Sequence, residues 1–374
     1  MYACRPLRSR TACAAALVLA VAGCAAPASS PAPERPHHTR QGFRNTTVGA
    51  IDKPLADLLR WRNEAWRAGL PRPPQSPAPV VLPELARLRG NTDAARLGTA
   101  AAAVVPSVTW IGHATTLVQS GGLNILTDPV VSERASPVAF LGPRRAQPPG
   151  IALADLPPID VVVVSHNHYD HLDRASVAQL HARGAGRTLF LVPLGLKRWF
   201  ADLGITSVVE LDWWEVHRHR GVEFRLVPVQ HWSARGLHDR NRTLWGGWVV
   251  HAPDLRWYFS GDTGYSRYFG DTRERTGPVD LALLAIGAYQ PRWFMREQHM
   301  DPAEAVQAHR DLGAARSIGI HWGTFALTDE SLDQPPRDLA AARQAAGLGE
   351  SEFSVLAIGQ TRWVAPRTGR QSVP

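Results

Sequence analysis

Four consecutive valines, Val161 to Val164, run straight into Ser165-His166-Asn167-His168-Tyr169-Asp170-His171. A short β-branched run of this kind reads as a buried strand, so the histidines that follow are held at the end of a rigid element. Residues two apart in an extended segment point the same way, so His166 and His168 face one point. A turn then carries Asp170 and His171 toward a second. Three imidazoles beside a buried strand need partners, and the H-x-H-x-D-H spacing offers them as metal ligands.

Further ligands are expected at other strand ends. Three positions qualify: His231 after "FRLVPVQ", Asp262 after "WYFSG" and His321 after "SIGI". Other apolar, β-rich runs surround them, beginning with a hairpin at Gly121-Gly122, and helices are expected over 174–183, 302–312 and 336–346. Many strands interleaved with helices predict a layered α/β domain with polar groups collected at strand ends. Together the candidates supply five imidazoles and two carboxylates, enough for two borderline-soft ions.

All three cysteines, Cys4, Cys13 and Cys24, fall in the first 24 residues. Arg5, Arg8 and Arg10 precede an apolar run from about Ala12 to Ala22, too short for a lasting membrane span, so residues 1–23 read as an export signal. The run ends in "VAGC", which resembles a bacterial lipobox and would make Cys24 the lipidated first residue; the alternative is an ordinary signal peptide cut near Ala22. Residues 24–48, rich in Pro, Ala and Ser, are expected to form a flexible tether with His37 and His38 solvated. Residues 49–106 form an N-terminal arm in which Leu55, Leu58, Leu59, Trp61 and Trp66 lie at near-helical spacing. The main domain is expected over 107–366, with a disordered tail at 367–374. The 374-residue chain carries 41 basic and 33 acidic side chains, net +8, and three of the basic ones lie in the leader. That mild excess suits phosphate groups or a membrane surface, and no run of like charges argues for nucleic acid.

The motif H-x-H-x-D-H followed by His, Asp and His at strand ends resembles the metallo-β-lactamase-fold hydrolases. That likeness implies a four-layer αββα sandwich, preceded here by the helical arm, with a two-metal site at one edge. More narrowly, "WIGHATTLVQ", "ILTDPV", "SHNHYDHLD", "FSGDTGY", "QHMDPAEAV" and "IHWGTFALT" are similar to the zinc phospholipases D that hydrolyse N-acylphosphatidylethanolamine. The resemblance implies that His166, His168 and His231 hold one zinc, that Asp170, His171 and His321 hold the second, and that Asp262 bridges them. It also implies a metal-bridging hydroxide, since a zinc pair about 3.5–4 Å apart lowers the pKa of water toward about 7, with Asp170 and Asp262 serving the catalytic centre.

The same resemblance assigns substrate contact to Tyr169 and His299, with His299 also placed to assist the leaving group. His113 and Asp128 are read as partners that orient the ligand imidazoles. Most of the 13 tryptophans are expected in the core, and "VHRHRG" at 216–221 is expected to be a basic hairpin tip. The expected function is a zinc-dependent phosphodiesterase of phospholipase D type, exported and lipid-anchored at the outer membrane facing the periplasm. Two alternatives stay open: hydrolysis of a lactone, thioester or other ester on the same site, and a non-catalytic metal-binding envelope lipoprotein.

Overall fold

The computed structural model describes residues 35–98 and 104–365. A small hairpin, β1 (His38–Thr39) and β2 (Gly42–Phe43), precedes the helices α1 (Leu55–Ala68) and α2 (Leu85–Arg96). The first large sheet contains β3 (Ser107–Gly112), β4 (Thr115–Ser120), β5 (Leu123–Thr127), β6 (Val161–Val163), β7 (Leu189–Pro193) and β8 (Val208–Leu211). The second contains β9 (Val216–His219), β10 (Val222–Val227), β11 (Gly247–His251), β12 (Arg256–Phe259), β13 (Leu281–Ala285), β14 (Ser317–Ile320) and β15 (Phe353–Val355). The last strand, β16 (Thr361–Trp363), returns to pair with β3 in the first sheet. Helices α3 (Arg174–Arg183), α4 (Lys197–Ala201), α5 (Tyr268–Thr276), α6 (Arg292–Met295), α7 (Pro302–Asp311) and α8 (Gln334–Ala345) fall between strands.

The valine run explains the layering. Val161 and Val163 enter the core between the two sheets, with Phe224 and Trp248 of the second sheet. Val162 and Val164 point the other way, into a second core shared with Leu88 of α2, Val177 of α3 and Phe200 of α4. A strand apolar at every position therefore needs cover on both faces, and each buried valine contributes roughly 1.5–3 kcal/mol. The second sheet's outer face is covered in the same way: Phe269 of α5, Val306 of α7 and Leu339 of α8 join the inter-sheet core cluster. The result is helix, sheet, sheet, helix, the four-layer αββα order expected from the motifs.

Each sheet is antiparallel on one side and parallel on the other. Pairs from β16 through β5 are antiparallel and those from β5 to β8 parallel. Likewise β9 to β12 pair antiparallel and β12 to β15 parallel. Within the first sheet β3, β5 and β6 consequently run in one direction, as do β10, β12 and β14 within the second. The carboxyl ends of such strands are where α/β sheets collect their functional groups.

The helices at 174–183 and 302–311 match expectation closely, the second opened by an Asp301/Glu304 capping box. Helix α8 begins two residues early because Pro335 and Pro336 sit in its first turn, where backbone N–H groups lack helical partners anyway. The "VHRHRG" segment is the β9–β10 hairpin, turning at Arg220-Gly221.

One segment departs from expectation. Residues 35–48, placed above in a flexible tether, are folded against the domain, and His37 is buried rather than solvated. Its ring stacks on Trp213 at 4.3 Å. His37 Nε2 and His38 Nε2 lie 2.6 and 2.7 Å from the two oxygens of Asp212, which also pairs with Arg35. The composition looked core-poor, but one buried carboxylate gathers three cationic or imidazole groups and so supplies the missing attachment. Residues 1–34, including Cys24, and 366–374 lie outside the described residues, as do 99–103.

Candidate metal centre

The H-x-H-x-D-H loop leaves β6 and is fixed at its far end by Asp173, the N-cap of α3, whose carboxylate accepts from Ser176 N. Within the loop His166 Nε2 and His168 Nδ1 approach to 2.8 Å. His231, reached from β10, brings its Nε2 to 3.3 Å from the same His168 Nδ1. Asp262, after β12, places Oδ2 3.9 Å from His166 Nε2 and 3.8 Å from His231 Nε2. These four residues form one group able to hold a metal ion.

A second group lies beside it. His171 Nε2 and His321 Nε2 are each 3.4 Å from Asp170 Oδ2. The carboxylate of Asp262 faces them as well, with Oδ2 3.0 Å from His171 Nε2 and Oδ1 3.1 Å from His321 Nε2. Asp262 therefore stands between the two groups. All seven predicted ligands converge, although they come from chain positions as far apart as 166 and 321. His113 joins the second group, its Nε2 3.0 Å from Asp170 Oδ2.

The donor set fits cations by its unmet needs. His171 Nε2, His321 Nε2 and Asp262 Oδ1 are buried without a hydrogen-bond partner, and each such atom costs about 1–3 kcal/mol when left unpaired. Several in one place point to a charge that satisfies them together. Burial holds the His166 imidazole well below its usual range and lowers His168 to about 4 and His231 to about 3, so these rings are neutral and their lone pairs free. Burial acts the same way on His171 and His321, but Asp262 and Asp170 outweigh it, raising His171 well above its ordinary value and His321 to about 9. Two carboxylates thus attract positive charge into this group, whether a proton or a metal ion.

The supporting shell is built from the first sheet. Asp128, after β5, is fully buried; its Oδ2 lies 2.6 Å from His171 Nδ1 and 2.5 Å from Ser165 Oγ, and its Oδ1 accepts from Ser165 N at 2.7 Å. Ser165 Oγ in turn meets His166 Nδ1 at 2.9 Å, so one carboxylate orients imidazoles in both groups. His231 Nδ1 donates to Gln298 O at 2.9 Å, which leaves Nε2 as the bare nitrogen. His113, Asp128 and His321 all have positive φ, near 53°, 31° and 64°. Such left-handed backbone in non-glycine residues concentrates at functional sites. At Gly287 a side chain is impossible, since a Cβ would stand 2.1 Å from His321 O.

The two residues expected at the substrate sit differently. His299 lies over the groups, its Nδ1 4.0 Å from Asp262 Oδ2 and without a hydrogen-bond partner. Tyr169 donates its hydroxyl to Arg235 O at 2.8 Å, and the Arg235 guanidinium lies 3.9 Å over its ring. Arg235 was not anticipated. Its Nη1 donates to Asn167 O at 2.8 Å and Leu172 O at 2.7 Å, clasping the ligand loop from outside. Arg235 is one of two arginines in "SARGLHDR", and nothing in that stretch assigns it this role. Most of the tryptophans near the ligands are core residues, as expected, among them Trp213, Trp245, Trp248 and Trp322; Trp232 packs its ring 4.3 Å from His168.

Comparison with known proteins agrees with this geometry. Residues 123–322 match the family model described as the β-lactamase superfamily domain. The chain is 45% identical over 266 residues to the N-acyl-phosphatidylethanolamine-hydrolyzing phospholipase D 1 of Caenorhabditis elegans, covering 67% of this chain and 74% of that one. It is 36% identical to the mitochondrial N-acyl-phosphatidylethanolamine-hydrolyzing phospholipase D of Saccharomyces cerevisiae, over 62% of this chain and 50% of that one. In fold it is like a possible metal-dependent hydrolase from Veillonella parvula, at TM-score 0.57 and 19% identity over 70% of this chain and 100% of the other. The chain belongs to the metallo-β-lactamase superfamily and is a metal-dependent hydrolase of that fold.

Proposed function

We propose that the protein is a zinc phosphodiesterase of phospholipase D type, acting on N-acylphosphatidylethanolamine-like phospholipids. The observation that carries this reading is Asp262, whose two carboxylate oxygens face both groups of buried imidazoles at once. A bridging carboxylate between two thiolate-free, histidine-rich sites suits a pair of zinc ions. Zinc held there supplies Lewis acidity and a water whose pKa falls from about 15.7 toward about 7. His166, His168 and His231 would hold one ion, and Asp170, His171 and His321 the other.

The remaining residues bind and orient. His299 faces Asp262 and is placed to hydrogen-bond a phosphate oxygen or to deliver a proton to the leaving alkoxide. Tyr169, pinned beneath Arg235, shapes the wall next to His168. The likeness to relatives named for N-acyl-phosphatidylethanolamine hydrolysis favours a phospholipid over a lactone or thioester. We further propose that the protein is exported and anchored at Cys24 in the cell envelope, consistent with a substrate that resides in membranes.

Purified protein loaded with zinc, given vesicles containing N-acylphosphatidylethanolamine, is expected to release phosphatidic acid. Turnover no higher than that of His166→Ala would overturn the lipid reading, and a panel of chromogenic esters and lactones would then identify the bond cleaved.

A further inference from the structure

His321 is held differently from its neighbours in the centre. Asp128, Ser165 and the Gln298 carbonyl meet the outward ring nitrogens of His171, His166 and His231 and fix those rings from behind. Among the described residues no side chain or carbonyl does this for His321 Nδ1. The direction of that ring is therefore set by its backbone. The backbone is left-handed, with φ near 64°, a conformation that a histidine keeps where its surroundings impose it.

Two neighbours brace it. On one side His321 N donates to His113 O at 2.9 Å. On the other runs the chain that leaves β13: Ile286 N donates to Ile320 O at 3.0 Å, and Gly287 follows in such close contact that an added Cβ would stand 2.1 Å from His321 O. The next residue, Ala288, is also left-handed, with φ near 66°. The N–H groups of Ala288, Tyr289 and Gln290 then converge on one point, a concavity of the kind that receives anions.

Glu330 fills that concavity from the chain beyond His321. Its Oε1 accepts from Ala288 N at 2.6 Å and from Tyr289 N at 3.2 Å, and its Oε2 accepts from Gln290 N at 3.0 Å. The residue is 8% exposed. Glutamate is seldom buried without partners, and the partners here are backbone donors of a loop that touches a metal ligand. Gly287, Ala288, His321, Trp322 and Glu330 all line a cavity of only about 10 Å³. Loop and ligand consequently have little room to shift independently.

We propose that Glu330 is a positioning residue of the second metal group: by gathering three consecutive N–H groups it fixes the 287–290 loop, and that loop, through Gly287, holds His321 in the backbone conformation that brings Nε2 to Asp170 and Asp262. The inference rests on the assignment of His321 as a metal ligand and is independent of the substrate.

The test uses the full chain, stripped of metal and reloaded with cadmium, the two ions being followed by cadmium NMR and their affinities by chelator competition. His321→Ala and His231→Ala assign one signal to each group. Glu330→Ala frees all three N–H groups and should weaken the ion at His321 about 10–100-fold. The ion at His231 should weaken far less, by the spill-over that a shared Asp262 allows. Glu330→Gln, the milder change should alanine prevent folding, keeps one acceptor oxygen and loses the other; it should shift the same signal and weaken the same ion severalfold. Tyr289→Phe is the control. It removes the hydroxyl bond to Asp338 at 2.6 Å from the same loop and leaves the peptide N–H groups alone, so both ions should bind as in the unmodified chain.

The proposal fails if the Glu330 variants bind cadmium like the unmodified chain or lose both ions equally. It fails as well if Tyr289→Phe weakens the ion at His321 as much as Glu330→Gln does, which would make Glu330 one fold contact among others. If His321→Ala disturbed neither signal, the ligand assignment itself would fall and the proposal with it. That outcome is distinct from failure at Glu330 alone, where His321→Ala still removes a signal.

Discussion

The two halves of the sandwich are built alike and deliver their ligands differently. Each sheet pairs three strand couples antiparallel and three parallel. The first half concentrates His166, His168, Asp170 and His171 in one loop after β6, whereas the second sends His231, Asp262 and His321 singly from three strands. A clustered loop depends on external clamps, and it has them in Asp128, Ser165 and Arg235. The dispersed ligands instead rely on the sheet beneath them, with local backbone strain at His321. The contrast makes the first half dependent on side-chain bonds to its loop and the second half dependent on the strands that carry its ligands.

The largest effect should come from the residue that joins the halves. Asp262→Ala removes the carboxylate whose oxygens approach the imidazole nitrogens of both groups and leaves His171 and His321 with less negative charge to hold a cation. Metal content, measured by elemental analysis after gel filtration, should fall in both groups, and hydrolysis should drop roughly 10^3-fold or more. A variant that kept its full metal complement would separate the halves and refute a shared bridge. Next comes the clamp within the first half. Asp128→Asn keeps the shape but weakens the bonds to His171 and Ser165, so metal affinity should fall about 10–100-fold in a chelator competition. Because Asp128 reaches His166 through Ser165 as well as His171 directly, both groups should weaken, and loss confined to one would refute that shared support.

The same contrast decides what could be read from the residues alone. The clustered motif was legible because spacing within one loop is geometry in itself, and His231, Asp262 and His321 were legible as polar groups at the ends of apolar runs. Strand and helix alternation predicted a layered α/β domain, the four-layer order was implied by the family resemblance, and the valine run turned out to face two cores. Arg235 was invisible because its role lies in backbone carbonyls of a loop far away in sequence. The attachment of residues 35–48 was missed because composition records the lack of apolar residues and not the one buried carboxylate, Asp212, that waits for them.

Arg235 tests how far the clamp works through geometry alone. Arg235→Ala strands the carbonyls of Asn167 and Leu172 and frees the Tyr169 ring, and should cost about 1–3 kcal/mol in denaturant unfolding. Arg235→Lys keeps the charge but not the planar guanidinium that lies over the Tyr169 ring. If lysine restores stability without restoring hydrolysis, the guanidinium acts by placing the ligand loop; equal recovery of both would reduce it to a fold contact.

The smallest effect lies farthest from the centre, where the N-terminal segment is held by Asp212. Burial alone would raise this carboxyl, but hydrogen bonds from His37, Trp213 N and His38 lower it to about 2. A carboxyl depressed on folding stabilises the attached state above its ordinary value near 4 and loses that contribution as pH falls through about 2. Amide exchange in residues 37–44 should therefore accelerate between about pH 4 and pH 2 before the strands of the two sheets open, and Asp212→Asn should make it fast already at neutral pH. Because the partners of the Asp212 carboxylate outside its own loop are Arg35, His37 and His38, the effect should stay local. If exchange at the β6 loop rose in step with it, the segment would be part of the metal centre's support, and the clustered half would owe its geometry to a clamp that begins before the domain itself.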